Sequence, residues 1–142
     1  MDYVLDTCIF NKIADGAIER SDLPSGGEFI ATHIQIDELN NTSDKERRAK
    51  LLLIFAEIRP KIEPTETYVI GVGRVGSFKI GDGTLKGITA ELDKLNNSKP
   101  NNVMDALCAE VALKNGHTLV TSDFHLKQAA EACGCAVLHF EC

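Results

Sequence analysis

The chain has 142 residues, 44% of them hydrophobic and 25% charged, and a formal net charge of −6. This length and composition suit a single globular domain over residues 1–142 and exclude a disordered or membrane-spanning class. The negative charge disfavours a protein that holds nucleic acid by a broad basic face, but it leaves room for a small nucleic-acid site.

The N-terminus and the cysteines both indicate a cytoplasmic protein. The opening segment, MDYVLDTCIF, has an acidic residue at position 2 and no basic stretch, so it does not resemble a secretory signal. The five cysteines are an odd number in a chain with its own core, which is typical of free thiols in a reducing compartment. The C-x-C spacing of Cys133 and Cys135 is not that of a zinc knuckle, which disfavours a zinc site.

The first third of the chain predicts two strand-to-helix units and a third helix. Residues 3–6 and 28–32 are β-prone, and each run is followed by apolar residues at helical spacing. The first helix ends before Gly16 and the second near Asn40. Ser43 and Glu46 have capping-box spacing before the third helix. Its predicted apolar stripe consists of Ala49, Leu52, Leu53 and Ala56.

The next segment differs in character, because Thr, Tyr, Val and Ile alternate with glycines up to residue 83. We expect a Gly-rich, β-hairpin-like insertion around residues 68–83. After it, the pattern predicts helices over 84–95 and 103–115, with Asn101 or Asn102 as the cap of the second. A strand at 118–121, a helix at 124–132 and a strand at 135–140 close the chain. Strands alternating with helices predict an α/β fold with a parallel sheet.

Acidic residues follow three of the predicted strands. Asp6 and Asp123 come directly after a strand, and Glu38 lies in the first turns of the helix after another. Asp105 lies in the first turn of the helix that leads into the strand at 118–121. Because the carboxyl ends of strands bind ligands in open α/β sheets, we expect these four carboxylates to converge at one edge.

Convergence has an electrostatic cost that indicates a cation. Two unit charges about 5 Å apart repel by roughly 3 kcal/mol at an effective dielectric near 20, and four groups make six such pairs. A bound divalent ion offsets this repulsion. Oxygen ligands select Mg²⁺ or Mn²⁺ over zinc, and such a cluster suits metal-assisted hydrolysis of a phosphodiester.

Local helix capping is an alternative explanation for three of the acids. Asp6 and Asp123 precede predicted helices and could be N-caps, and Asp105 could interact with a helix dipole. The dipole does not explain Glu38, because an acid near the end of a short helix is not favoured.

Four motifs in order resemble those of the PIN domain family, small metal-dependent ribonucleases that include the VapC toxins of toxin–antitoxin pairs. They run over almost the whole chain. The matching segments are VLDTCIF with Asp6 and Thr7, IDEL with Glu38, DALCAEVA starting at Asp105, and LVTSD with Thr121 and Asp123.

The resemblance implies a three-layer α/β/α fold with a central, mostly parallel five-stranded sheet, and an endoribonuclease dependent on Mg²⁺ or Mn²⁺. The implied metal and catalytic residues are Asp6, Glu38, Asp105 and Asp123. The implied auxiliary residues are Thr7, Thr121 and Ser122. RNA is the implied substrate, many relatives form homodimers, and toxin members are silenced by a small antitoxin protein.

Other interpretations stay open at this stage. One is a PIN-like module that binds RNA or protein without cutting. A second is nucleotide binding by Gly71–Gly76, a formal G-x-G-x-x-G, although the helix that this motif requires does not follow it. Arg74, Lys79 and His125 could contact the phosphates of an RNA.

Overall fold

The computed structural model describes residues 1–65, 83–97, 99 and 102–141. The β-hairpin expected around residues 68–83 therefore lies outside the described residues, except for Gly83. The same is true of the glycine motif at Gly71–Gly76 and of Arg74 and Lys79.

Strands and α-helices alternate along the described part of the chain. The strands are β1 (Tyr3–Leu5), β2 (Phe29–Ala31), β3 (Lys61–Ile62), β4 (Thr118–Thr121) and β5 (Ala136–His139). The helices are α1 (Thr7–Ala14), α2 (His33–Asn40), α3 (Lys45–Ile58), α4 (Thr84–Asn96), α5 (Asn102–Asn115) and α6 (Phe124–Ala132), with a 3₁₀ turn at Arg20–Asp22. None of these helices is long and apolar enough to cross a bilayer.

The five strands form one sheet in the order β3-β2-β1-β4-β5, and every pair is parallel. The chain moves from β1 to one side for β2 and β3, then returns to the other side for β4 and β5. The carboxyl ends of β1 and β4 therefore adjoin at the point where the strand order reverses, which is where open α/β sheets bind ligands. The predicted α/β/α class with a parallel five-stranded sheet is confirmed.

Helices cover both faces of the sheet because the central strands are apolar on both sides. Val4 and Leu119 pack with the buried side chains of α4, α5 and α6. Their neighbours Leu5 and Val120 point to the opposite face and pack with α1 and α3. All four side chains have no exposed surface, as expected for strands between two helical layers.

Two predictions about α3 are wrong. Asp44, not Ser43, is the N-cap, and its carboxylate accepts hydrogen bonds from the N–H groups of Glu46 and Arg47. Of the predicted apolar stripe, only Leu52 packs against the core, beside the buried Leu51 and Ile54, whereas Leu53 is 60% exposed. The continuous run LLLIF offers more than one apolar stripe, and packing against α1 selects one of them.

The remaining strand, β3, lies before the Gly-rich insertion that the sequence predicts around residues 68–83. β3 is only Lys61–Ile62, and it pairs with β2 through Ile30 and Ala31 at the edge of the sheet. Both of its residues are exposed, so this strand has little apolar signal in the sequence.

Gln35 fixes the start of α2 to the end of β1. Its side chain has no exposed surface, and its Nε2 donates to the carbonyl oxygen of Leu5 at 2.9 Å. Its Oε1 accepts from the N–H and the hydroxyl of Thr32, the N-cap of α2, at 2.8 and 2.6 Å. This amide therefore holds the helix that carries Glu38 against the strand that leads to Asp6.

We expect Gln35→Ala to lower the free energy of unfolding by about 3 kcal/mol, because it leaves buried backbone groups without partners and opens a cavity. Urea denaturation followed by circular dichroism measures the change. Gln128→Ala, at an exposed position of α6, is the matched control and should change stability by less than about 0.5 kcal/mol. Equal effects of the two substitutions would contradict the bracing role of Gln35.

Candidate active site

The structure brings the four predicted acids together at the carboxyl edge of the sheet. Asp6 follows β1, Asp123 follows β4 by two residues, Glu38 lies on α2, and Asp105 lies in the first turn of α5. The charges of Asp6, Glu38 and Asp123 all act on the carboxyl group of Asp105, in that order of strength. Four side chains from separate parts of the sequence thus share one electrostatic environment.

Asp6 is buried, with 5% of its surface exposed. It occupies the N-cap position of α1, as the capping alternative predicts, but its side chain makes no capping hydrogen bond. Instead, its Oδ2 accepts hydrogen bonds from the Thr121 hydroxyl at 2.8 Å and from the Cys8 thiol at 3.1 Å. Burial raises the pKa of Asp6 and the charge of Asp123 adds to the effect, while the two side-chain hydrogen bonds oppose it.

Glu38 is half-buried and is held by Thr7. The Thr7 hydroxyl donates to Glu38 Oε1 at 3.0 Å across 31 positions of sequence. Burial is the main cause that raises the pKa of Glu38, and the charge of Asp6 contributes in the same direction. Thr7 therefore links the first turn of α1 to the acid on α2.

Asp105 is the acid whose charge the fold disfavours most clearly. Burial, followed by the charges of Asp6, Glu38 and Asp123, raises its pKa from 3.8 to about 8. Its position in the first turn of α5 is also the one that the helix dipole favours for an acid. The raised pKa shows that the neighbouring carboxylates and burial outweigh the dipole.

Asp123 is the N-cap of α6, so the capping alternative is confirmed for this residue. Its Oδ1 accepts hydrogen bonds from the N–H groups of His125 at 2.9 Å and Leu126 at 3.2 Å. The cap does not remove it from the acid cluster, because its charge still raises the pKa of both Asp6 and Asp105. His125 takes part through its backbone N–H.

Thr121 connects two of the acids. Its hydroxyl has no exposed surface, donates to Asp6 and accepts from the backbone N–H of Asp123 at 3.0 Å. A single side chain thereby orients the carboxylate after β1 and the turn after β4. This supports an auxiliary role for Thr121, because its partners are the acids themselves.

Cys8 belongs to the same hydrogen-bond network, although the sequence motifs do not identify it as a site residue. Its sulfur accepts from the N–H and hydroxyl of Ser122 at 3.3 and 3.1 Å, while its thiol donates to Asp6. Burial and then the Asp6 charge raise the pKa of the Cys8 thiol to about 12, so it stays protonated and can donate. The available signal was its position in the first turn of the helix that starts after Asp6.

The chemistry of these residues fits a divalent cation. Carboxylate oxygens are the ligands that Mg²⁺ and Mn²⁺ prefer, and a cation would offset the burial and the neighbouring charges that raise the pKa of three of these acids. Within residues 1–65, 83–97, 99 and 102–141, however, no three His, Cys, Asp or Glu side chains are grouped closely enough to hold an ion. The carboxylates accept hydrogen bonds from Thr7, Thr121 and the α6 backbone instead.

Comparison with known proteins identifies the fold. No protein-family model matches the sequence, and no curated protein is similar enough to count as a relative. One structural match is a domain of a functionally unknown protein from Methanocaldococcus jannaschii. The match covers 99% of this chain and 91% of that chain, at 20% sequence identity and a TM-score of 0.56. VapBC-5 from Mycobacterium tuberculosis, of the VapBC family of toxin–antitoxin systems, covers 98% of both chains at 16% identity and a TM-score of 0.58.

A third match supports the same conclusion. VapBC2 from Rickettsia felis, bound to a DNA fragment from its promoter, covers 99% of this chain and 100% of its own at 17% identity and a TM-score of 0.53. The chain has the PIN-domain fold. The fold implied by the sequence motifs is therefore confirmed. An inference about activity depends on the residues at the carboxyl edge of the sheet.

The raised pKa of Asp105 predicts how the stability of this PIN fold depends on pH. Because the folded-state pKa lies above the unfolded value of 3.8, ionisation of Asp105 opposes folding. The penalty is absent below about pH 4 and is complete above about pH 8. One unit of pKa difference corresponds to about 1.4 kcal/mol, so Asp105→Asn should stabilise the protein by at least that amount at pH 8.5 in EDTA.

Urea denaturation of both proteins at pH 4.5 and pH 8.5 measures this difference. Glu141→Gln removes one negative charge at an exposed position and serves as the control. An equal change in stability at both pH values would show that ionisation of Asp105 does not oppose folding.

Proposed function

We propose that this chain is a metal-dependent endoribonuclease that hydrolyses phosphodiester bonds of RNA. The observation that carries the proposal is the half-buried Asp105, whose carboxyl group senses the charges of Asp6, Glu38 and Asp123. A fold that gathers four acids at the ligand-binding edge of a parallel sheet, against their repulsion, is suited to holding a cation there.

The site residues fall into two groups, the cation ligands and the residues that orient them. Asp6, Glu38, Asp105 and Asp123 would supply the oxygen ligands for Mg²⁺ or Mn²⁺. Thr121 and Cys8 orient Asp6, Thr7 orients Glu38, and Ser122 supports Cys8. When bound, the cation would polarise the scissile phosphate and lower the pKa of an attacking water.

The raised pKa of Asp105 also couples the ionisation of this residue to cation binding. With a pKa of about 8, its carboxyl group holds a proton most of the time at neutral pH in the absence of a cation. A positive charge in the pocket would favour the ionised form of Asp105. Cation binding should therefore be stronger at higher pH.

The proposal includes a protein partner. The matched structures from Rickettsia felis and Mycobacterium tuberculosis are of VapBC proteins, and the latter belong to a family of toxin–antitoxin systems. We therefore propose the toxin of such a pair, silenced by a small antitoxin, as the form that the nuclease takes. A cytoplasmic location and a homodimer are part of the same proposal.

One observation favours a second candidate, a PIN-like module that binds RNA without cutting it. Across the described ranges, no three potential ligands are already grouped to hold an ion. The two candidates differ in one measurable property, which is cleavage of a bound RNA.

We expect Mn²⁺ to stabilise the protein through the acid cluster. At a Mn²⁺ concentration 100 times the dissociation constant, binding to the folded state alone adds about 2.7 kcal/mol, which raises Tm by several degrees. Differential scanning calorimetry with 5 mM Mn²⁺ and with EDTA measures the shift. Asp6→Asn should reduce it strongly, whereas Glu141→Gln should not. An unchanged Tm for the unsubstituted protein would exclude a metal site of useful affinity.

We expect the purified protein to cleave a labelled single-stranded RNA in Mn²⁺ or Mg²⁺ and to lose this activity in EDTA. Asp105→Asn should reduce the cleavage rate at least about 100-fold, since it removes one charged ligand of the cation, while Glu141→Gln should cleave normally. Gel electrophoresis of the products gives the rates, and fluorescence anisotropy gives RNA binding. RNA binding without cleavage by the unsubstituted protein would favour the non-catalytic module.

A further inference from the structure

Phe124 is a large apolar side chain that the fold leaves in contact with solvent beside the acid cluster. It is the first residue of α6 and directly follows Asp123, and 54% of its surface is exposed. The core-facing side chains of the same helix are Leu126, Ala129 and Ala130. Phe124 therefore contributes little to the packing that holds α6 on the sheet.

Polar and cationic groups surround this ring. The imidazole of His139, at the end of β5, meets it edge-on with 6.2 Å between ring centroids. The Lys127 ammonium lies 5.9 Å from the ring centroid. His139 also contacts the carbonyl oxygen of Ser122 through Nε2 at 3.3 Å, which connects the aromatic pair to the turn that carries Asp123.

The backbone of Phe124 lies at a defined place relative to Asp123. Asp123 caps α6 through the N–H groups of His125 and Leu126, which joins the first turn that carries Phe124 to the acid. Lys127 also pairs with Glu131 at 2.8 Å, but both side chains are partly exposed and such pairs contribute little, so the ammonium can turn to another anion.

We propose that Phe124 is a stacking platform for one base of single-stranded RNA, with Lys127 and His139 contacting the adjacent backbone. The inference rests on the proposed function and names its substrate class as RNA with unpaired bases. An aromatic face next to a cation is the combination by which proteins bind single strands without reading their sequence. A chain with a net charge of −6 needs such local contacts, because its overall field repels a polyanion.

RNA fits this surface better than a protein partner does. A nucleobase has a π-face that the exposed ring can stack on, and its phosphate has the charge that complements Lys127. A duplex offers no unstacked base to Phe124, so single strands should bind more tightly.

The sequence itself provides a direct optical test, because it contains no tryptophan. Phe124→Trp, made in the Asp105→Asn background to prevent cleavage, places a single indole at the proposed platform. A 12-nucleotide single-stranded RNA with Mn²⁺ should quench its fluorescence on binding. Leu53→Trp in the same background is the matched control: Leu53 is 60% exposed on α3, which packs on the other face of the sheet. Its indole should not be quenched.

Affinity provides the second readout. In the Asp105→Asn background, Phe124→Leu should weaken binding of the single strand about 5- to 100-fold by fluorescence anisotropy, the range expected for loss of one stacked base. Phe124→Tyr should retain binding, and a duplex of the same sequence should bind weakly with either side chain. Thermal melts check that the substituted proteins are folded.

Three outcomes would overturn the inference: an unquenched indole at position 124, an affinity unaffected by Phe124→Leu, or no RNA binding by the Asp105→Asn protein. A change in oligomeric state by light scattering with unaltered RNA affinity would assign the ring to a protein contact instead. Failure of the nuclease proposal gives a different result. RNA then binds through Phe124, but the unsubstituted protein does not cleave it.

Discussion

The burial of carboxyl groups close to one another is the constraint that the rest of this molecule has to satisfy. Asp6, Glu38, Asp105 and Asp123 share one edge of the sheet, and burial raises the pKa of the first three. Hydrophobic packing on both faces of the sheet is what holds these groups in place, since Val4, Leu5, Leu119 and Val120 in the strands that precede Asp6 and Asp123 have no exposed surface. The same apolar packing therefore stabilises the fold and keeps the carboxyl groups close together despite their unfavourable electrostatics.

Neutral donors, more than cations, hold the acids in position. Hydroxyl groups of Thr7 and Thr121 and the thiol of Cys8 donate to the carboxylates, and the backbone of α6 donates to Asp123. Such donors fix the direction of a carboxylate without neutralising it, so the negative charge remains available to a cation. Lys99 lowers the pKa of Asp105, but burial and the neighbouring carboxylates outweigh it, so the net shift is upward. This is the electrostatic pattern expected of a ligand site more than of a structural ion-pair network.

Much of this could be predicted from the sequence, but the limits differ from residue to residue. Strand-to-helix alternation predicts the α/β class, and the position of acids after strands predicts which edge they share. The role of a capping side chain could not be assigned by pattern: Asp6 and Asp123 are both N-cap residues, yet only the side chain of Asp123 makes capping hydrogen bonds. The difference is that Thr121 and Cys8 are placed to bind Asp6. Thr121 reaches it only after β1 and β4 have paired. Similarly, the run LLLIF leaves the buried face of α3 undecided until α1 packs against it.

The sequence by itself determined the order of the elements, the two-sided burial of the central strands and the four candidate acids, because these follow from local periodicity and from residue type. Only the tertiary structure decided four features. They are the raised pKa of Asp105, the hydrogen bond from Gln35 to the end of β1, the hydrogen bond from Cys8 to Asp6, and the exposure of Phe124 beside Asp123. Each of these depends on distances between residues separated along the chain, such as the 115 positions between Asp6 and Thr121. Electrostatic interaction and burial depend on separation in space, and a linear pattern does not contain that quantity.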